Sequence, residues 1–282
     1  MEHFTDRTIA FIGPGSMAQA MIAGLLRKQL APAGQLIASG PRQERVQDLQ
    51  ARYGLVPMTN NAEAVAQADV VVLAVKPQQL DKVMQGLRGH IDEDALIVSI
   101  IAGATISSIT SGLGCEAVLR AMPNTPARIG EGITVWTVAD TVTAEQREMG
   151  RSILTALGDE VFVEEEEFLD KATALSGTGP AYVYLFMEAM VDAGVHLGFS
   201  RRIAEHLVVK TVRGSVDYYE KNEDEGHLSR LRNQVTSPGG TSAEAIYFLE
   251  KAGFRTAISR AIWAAYERSV QLGSGASRKK PK

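Results

Sequence analysis

The stretch Thr8-Ile9-Ala10-Phe11-Ile12-Gly13-Pro14-Gly15-Ser16-Met17-Ala18 carries the reading of the fold. Thr8–Ile12 is an apolar, partly β-branched run and a candidate strand, and Met17–Lys28 is a candidate helix. Between them stands G-x-G-x-x-A, the dinucleotide-binding fingerprint with Ala18 in its last place. Gly13 permits the tight turn, Gly15 lets a pyrophosphate approach the helix N-terminus, and Ala18 is small enough for the helix to pack on the strand. The fingerprint alone is common. The strand before it and the helix after it give it weight.

Outward from this loop, short β-branched runs alternate with amphipathic stretches. Gln35–Ala38 reads as a second strand and Gln43–Arg52 as a second helix. Val70–Val75 and Leu96–Ile100 are continuous apolar runs, as in parallel strands covered on both faces. Further strands are expected at Ala117–Ala121, Ile133–Val138 and Glu160–Val163, with Thr143-x-x-Gln146 as a capping box opening the helix before the last. Such alternation predicts βαβ units and a parallel sheet. The uncharged run Ala95–Cys115 is long enough for a bilayer span, but its serines, threonines and glycines argue against one. It reads as a buried strand followed by a loop.

The character changes at Glu164-Glu165-Glu166-Glu167, which reads as a solvated first helical turn rather than a cation site. No convincing strand follows. Helical patterns run through Ala181–Leu197, Ile203–Tyr219, Ala243–Ala252 and Thr256–Leu272. The fold class is therefore α/β: a dinucleotide-binding domain at 1–164, an all-helical domain at 165–273, and a frayed basic tail at 274–282. Apolar faces on several long helices make the second domain a candidate for dimerisation.

Composition narrows the function. The 282 residues, 45% hydrophobic and 22% charged, suit a globular protein of two ordinary domains. A net charge of −4 and no evident basic face disfavour nucleic acid as a partner. Cys115 is the only cysteine, which suits a reducing cytoplasm, and Met1–Arg7 lacks the charge and apolar run of a signal peptide. No cysteine–histidine cluster has metal-ligand spacing, so no metal is expected.

No Asp or Glu occurs between Asp6 and Glu44, so the acid that would bond a ribose 2′-hydroxyl at the end of the second strand is missing. Ser39 can instead donate to a 2′-phosphate and Arg42 can pair with it, which favours NADPH, with NADH as the alternative. The plain reading of Arg42 is a charged residue in a first helical turn. Ala74-Val75-Lys76-Pro77 and Ile101-Ala102-Gly103 follow strands, at the ends where such folds bind ligands. Near the C-terminus, Val235-Thr236-Ser237-Pro238-Gly239-Gly240-Thr241-Ser242 leads into a helix. Thr241 and Glu244 have capping-box spacing. The segment reads either as a simple cap after a Pro-Gly turn or as a pocket for a small carboxylate on free backbone N–H groups.

Together these pieces resemble the pyrroline-5-carboxylate reductase family from Thr8 to Leu272. The resemblance is carried by the glycine loop, by Ala74–Pro77, and by Arg120-Ala121-Met122-Pro123-Asn124-Thr125-Pro126. Leu175-Ser176-Gly177-Thr178-Gly179-Pro180-Ala181-Tyr182 and Ser237-Pro238-Gly239-Gly240-Thr241 complete it. It implies an N-terminal Rossmann domain and a C-terminal helical domain that interlocks as a dimer, in some members assembled further into decamers. It implies reduction of the cyclic imine to L-proline with NAD(P)H, in a site between the Rossmann domain of one chain and helices of its partner. The cofactor loops would be Ile12, Gly13, Pro14, Gly15, Ser16 and Met17, then Asn61, then Ala74, Val75, Lys76 and Pro77, then the Ile101–Gly103 loop with Ala102 and Gly103. Ser237, Gly239, Gly240, Thr241 and Ser242 would form the substrate loop, with Asn124 and Thr178 lining the nicotinamide and substrate region. The chain departs from the family pattern at His227-Leu228-Ser229-Arg230-Leu231-Arg232-Asn233, where many members have His-Pro-Gly-x-Leu and then Lys-Asp, and at Ser242, where a threonine is usual.

In that reading the substrate carboxylate docks on N–H groups near Gly240, Thr241 and Ser242. Ser242 supplies a hydrogen bond to the imine nitrogen, with a relay through water or Glu225 as one route. Glu225 reads equally as one of several surface acids. His227 is a candidate neighbour of the site for acid–base work, and the other histidines read as structural or exposed. Two other readings compete. One is a reductase of a related cyclic imine, a piperideine carboxylate, or of a hydroxy acid; the other is a non-catalytic NADPH-binding protein. A hydroxy-acid enzyme calls for a lysine or histidine on the first long helix of the second domain, and that helix has none before His196.

Overall fold

The computed structural model describes residue 4, residues 6–222 and residues 227–273. Packing divides the chain into two compact units: residues up to Thr178 together with those from Ala264, and Gly179–Trp263.

The first unit is built on one eight-stranded sheet: β1 (Ile9–Ile12), β2 (Leu36–Ser39), β3 (Val56–Met58), β4 (Val70–Leu73), β5 (Leu96–Ser99), β6 (Val118–Met122), β7 (Gly132–Val138) and β8 (Gly158–Phe162). Their order is β3-β2-β1-β4-β5-β6-β7-β8. The first six are parallel, in the order of a Rossmann sheet. β7 runs antiparallel to β6, because the short connection between them has no room for the crossover a parallel pair requires. The seven expected strands are present within a residue or two. β3 was not foreseen, since Val-Pro-Met is too short to show a pattern.

The pleat sorts the strand residues into two cores. Ile9, Phe11, Val70, Val72, Leu96 and Val98 face α1 (Ser16–Arg27), α2 (Gln43–Tyr53) and α6 (Ala144–Thr155) through Met21, Leu25, Leu49 and Ile153. Ala10, Ile12, Val71, Leu73 and Ile97 face α3 (Asn61–Val65), α4 (Leu80–Leu87) and α5 (Ile106–Leu113) through Val65, Leu80, Met84 and Ile109. The strands are continuous apolar runs because both faces are covered.

Three local expectations change. The stretch after β5 is not simply a loop: α5 forms there, capped by the Thr105 hydroxyl, which accepts from Ser108 N at 3.2 Å. Polar Ser107, Ser108 and Thr110 masked its period. The glutamates do not only face solvent. Glu166 accepts from Arg120 at 2.9 Å and from the Ile106 amide at 2.7 Å, just ahead of α7 (Phe168–Ala172). The Thr143–Gln146 capping box of α6 has both of its bonds, whereas the Thr241–Glu244 box does not form.

Composition placed the boundary at 164/165, and packing draws it after Thr178. α7 stays with the sheet because Leu169 is buried there and Asp170 pairs with Arg120 of β6 at 3.2 Å. The second unit holds α8 (Gly179–His196), α9 (Arg201–Lys221), α10 (Leu228–Gln234), α11 (Thr241–Lys251) and the first part of α12 (Phe254–Gly273). Its own core is small, with Val191, Ala204 and Val208 buried between α8 and α9. The stretch that departs from the family pattern, His227–Asn233, is the short helix α10 and its N-cap. The tail at 274–282 and Glu225 lie outside the described residues.

Candidate active site

The switch point of the sheet lies between β1 and β4, where strand order reverses, and the loops from their C-terminal ends meet there. Gly13 adopts φ +83°, a left-handed conformation that favours glycine, and a Cβ on it would lie 2.5 Å from Val75 Cγ1. Pro14 lies against Gly40 at the end of β2. Three of the expected cofactor segments therefore pack on one another around the glycine turn.

α1 starts at Ser16 with Gly15 as an exposed N-cap, and among the described residues no side chain caps it. Free N–H groups, the positive end of the helix dipole and a missing Cβ make a cradle for a pyrophosphate. The residues present fit a dinucleotide. Lys76 is exposed at the end of the β4 loop, and Ala102 is half-buried and Gly103 buried after β5.

The ribose end differs in detail from the sequence reading. Ser39 is fully buried, and its hydroxyl donates to Asn61 Oδ1 at 2.7 Å. Its proton is committed, so it does not donate to a phosphate in this geometry; the Asn61 amide group stands beside it. Arg42, the N-cap of α2, is exposed, and its side chain makes no hydrogen bond or ion pair among the described residues.

Asn124 is buried, and its Oδ1 accepts from Ile133 N at 3.0 Å. That bond pins the carboxamide, and Nδ2 has no partner among the described residues. Thr178 follows a π-helical turn, Thr173–Gly177, and its hydroxyl donates to the Thr173 carbonyl at 2.8 Å. A π turn puts an extra residue in the helix, and here it sets Thr178 against Thr173.

In the helical unit, Ser237–Gly240 is a tight turn closed by Gly240 N donating to Ser237 O at 3.0 Å, with Gly239 at φ +70°. Gly240, not Thr241, is the N-cap of α11, and among the described residues no side chain caps it. The amides of Thr241, Ser242 and Ala243 open the helix without a partner among the described residues, and the half-buried Ser242 makes no side-chain bond there either. His227 is the exposed N-cap of α10.

Cys115 is half-buried and desolvation raises its pKa, which suits packing rather than nucleophilic work. Among the described residues no group of three histidine, cysteine or acidic side chains is placed to hold a metal. Among them, too, no helix is long and apolar enough to cross a membrane.

Sequence reasoning missed the polar chain behind these loops. Arg120 is buried and sits between Glu166 and Asp170, and Asp170 also accepts from Ser269 Oγ at 2.6 Å. An arginine inside a predicted strand is the one signal that pointed to a buried partner.

Residues 166–272 match the family model described as pyrroline-5-carboxylate reductase dimerisation, and residues 8–103 match that of NADP oxidoreductase, coenzyme F420-dependent. Sheet order, glycine cradle and appended helical unit define a Rossmann-class NAD(P)-dependent oxidoreductase. A pyrroline-5-carboxylate reductase of Pseudomonas aeruginosa is 42% identical over 94% of this chain and 96% of its own length, and one of Synechocystis is 39% identical over 94% and 98%. The crystal structure of a Plasmodium falciparum pyrroline carboxylate reductase with NADP bound aligns at TM-score 0.87 and 32% identity, covering 95% of this chain and 98% of that one. The chain belongs to the pyrroline-5-carboxylate reductase family.

Proposed function

We propose that this protein reduces the cyclic imine pyrroline-5-carboxylate to L-proline with NADPH, the last step of proline biosynthesis, and accepts NADH less well. The observation that carries this reading is likeness to pyrroline-5-carboxylate reductases over 94% of the chain, joined to an intact glycine cradle at the switch point. The reduced nicotinamide, when bound, supplies the hydride.

The protein's part is positioning and electrostatics. The amides at the start of α1 and the Ile12–Met17 turn hold the pyrophosphate, Arg42 and Asn61 serve the 2′-phosphate, and Asn124 offers Nδ2 to the nicotinamide. Lys76 and the Ile101–Gly103 loop line the same cofactor. The open amides of Thr241 and Ser242, in the turn set by Ser237, Gly239 and Gly240, take the substrate carboxylate. The Ser242 hydroxyl, without a partner among the described residues, hydrogen-bonds the imine nitrogen as it gains basicity. Thr178, whose proton is committed to Thr173, accepts rather than donates, and Glu225 is the remaining candidate for a proton relay. The helical domain pairs with a second copy, and the enzyme works in the cytoplasm.

The direct test mixes purified protein with pyrroline-5-carboxylate and follows NADPH absorbance, with NADH and the six-membered piperideine carboxylate in parallel. Oxidation fastest with NADPH and the five-membered ring is expected. No oxidation with any imine overturns the reading.

A further inference from the structure

The loop after β5, Ile101-Ala102-Gly103, is backed by the far end of the described chain. Gly103 has φ +75°, and a Cβ on it would lie 2.7 Å from the Gly273 nitrogen and 3.0 Å from Leu272 Cβ. The relation is mutual: a Cβ on Gly273 would run into the Gly103 carbonyl oxygen. Two backbones meet here with no side chain between them, which only a pair of glycines permits.

One polar chain holds both partners of this contact. Ser269, buried in the last turns of α12, donates to Asp170 Oδ1 at 2.6 Å. Asp170 and Glu166 flank the buried Arg120 guanidinium at 3.2 and 2.9 Å. Glu166 then accepts from the amide of Ile106 at 2.7 Å, the residue that opens α5 at the far end of the same loop. The loop is thus pressed at Gly103 by the end of α12 and tied at Ile106 to the carboxylate that shares Arg120.

We infer that the end of α12, through Ser269 and Gly273, is a positioning element that sets the Ile101–Gly103 loop to receive the cofactor. This rests on the reading of that loop as part of the dinucleotide site. Neither Ser269 nor Gly273 touches the ligand in this scheme. Both act through the loop, so their loss weakens dinucleotide binding and leaves imine binding alone.

The experiment titrates full-length protein with NADPH by fluorescence and compares steady-state constants. Gly273→Ala is expected to raise the Kd and KM for NADPH about tenfold, the size of effect that overpacking by one methyl gives. The KM for the imine, kcat at saturating NADPH and the oligomeric state stay at wild-type values. Gly86→Ala, where an added Cβ meets nothing within 4 Å, is the control and stays at wild-type values throughout. A folded Gly273→Ala that binds NADPH as wild type does, or one in which both KM values rise alike, overturns the inference. Should Gly273→Ala fail to fold, Ser269→Ala is judged by the same readings, with Ser269→Thr, which keeps the hydroxyl, restoring wild-type affinity; an unchanged Kd in Ser269→Ala overturns it equally. A wild-type protein that binds no NADPH removes the reading of the site itself, a result separate from normal wild-type binding with an unaffected variant.

Discussion

Ser242 and Thr178 each bring a hydroxyl to the proposed site, and they differ in where the proton goes. Thr178 donates to Thr173 O at 2.8 Å, while Ser242 makes no side-chain bond among the described residues. Ser242→Ala is therefore expected to keep NADPH affinity and lower kcat on the order of 10²; unchanged turnover in a stopped-flow assay would remove its role. The same reasoning separates Ser39, committed to Asn61, from the exposed Arg42. Loss of one charged hydrogen-bond partner costs about 1.5–3 kcal/mol. Arg42→Ala should thus raise the Kd for NADPH on the order of tenfold or more and leave that for NADH near its starting value. Equal effects on the two cofactors, read by parallel titrations, would refute the phosphate contact.

At the scale of elements, the two segments with Thr-x-x-acid or amide spacing behave differently. α6 closes its capping box with both bonds, whereas α11 starts one residue earlier, at a glycine cap, and leaves its first amides open. A closed box suits a structural helix, and open amides suit a helix that must hold an anion. α7 is tied to β6 through Arg120, whose side chain is 3% exposed. Arg120→Met leaves two carboxylates without their counter-charge and is expected to cost about 3–5 kcal/mol in urea unfolding.

β8 carries a pH-dependent bond of its own. Burial pushes the Glu160 carboxyl up, but hydrogen bonds from Trp136 Nε1 and Arg151 outweigh it and leave the pKa lowered. A lowered folded pKa means stability that is complete above the ordinary carboxylate value near about 4.3 and lost as pH falls through the folded value. Thermal melts across that range should therefore fall more steeply for wild type than for Glu160→Gln. Parallel slopes would exclude this contribution.

At the scale of the molecule, the helical unit buries few of its apolar side chains. Leu185 is 68% and Trp263 62% exposed, beside Tyr184, Leu207, Phe248 and others. A surface of this kind marks an interface, in keeping with the dimerisation model matched over 166–272. Leu185→Glu is expected to shift the protein toward monomer in light scattering and to lower activity with it; an unchanged mass would place the interface elsewhere.

The sequence by itself determined the α/β class, every strand but β3 and the glycine turn, because continuous apolar runs and fixed motif spacing are local properties. It also contained the family likeness, through motifs that read end to end. What it did not contain was partnership. That Ser39 serves Asn61, that Glu166 pairs with Arg120, and that Gly103 meets Gly273 are all contacts across long stretches of chain. The same residue types would have read the same way with those partners or without them. Tertiary structure alone decided which hydroxyls and carboxylates remain free for a ligand, since that depends on what packing brings within hydrogen-bond distance.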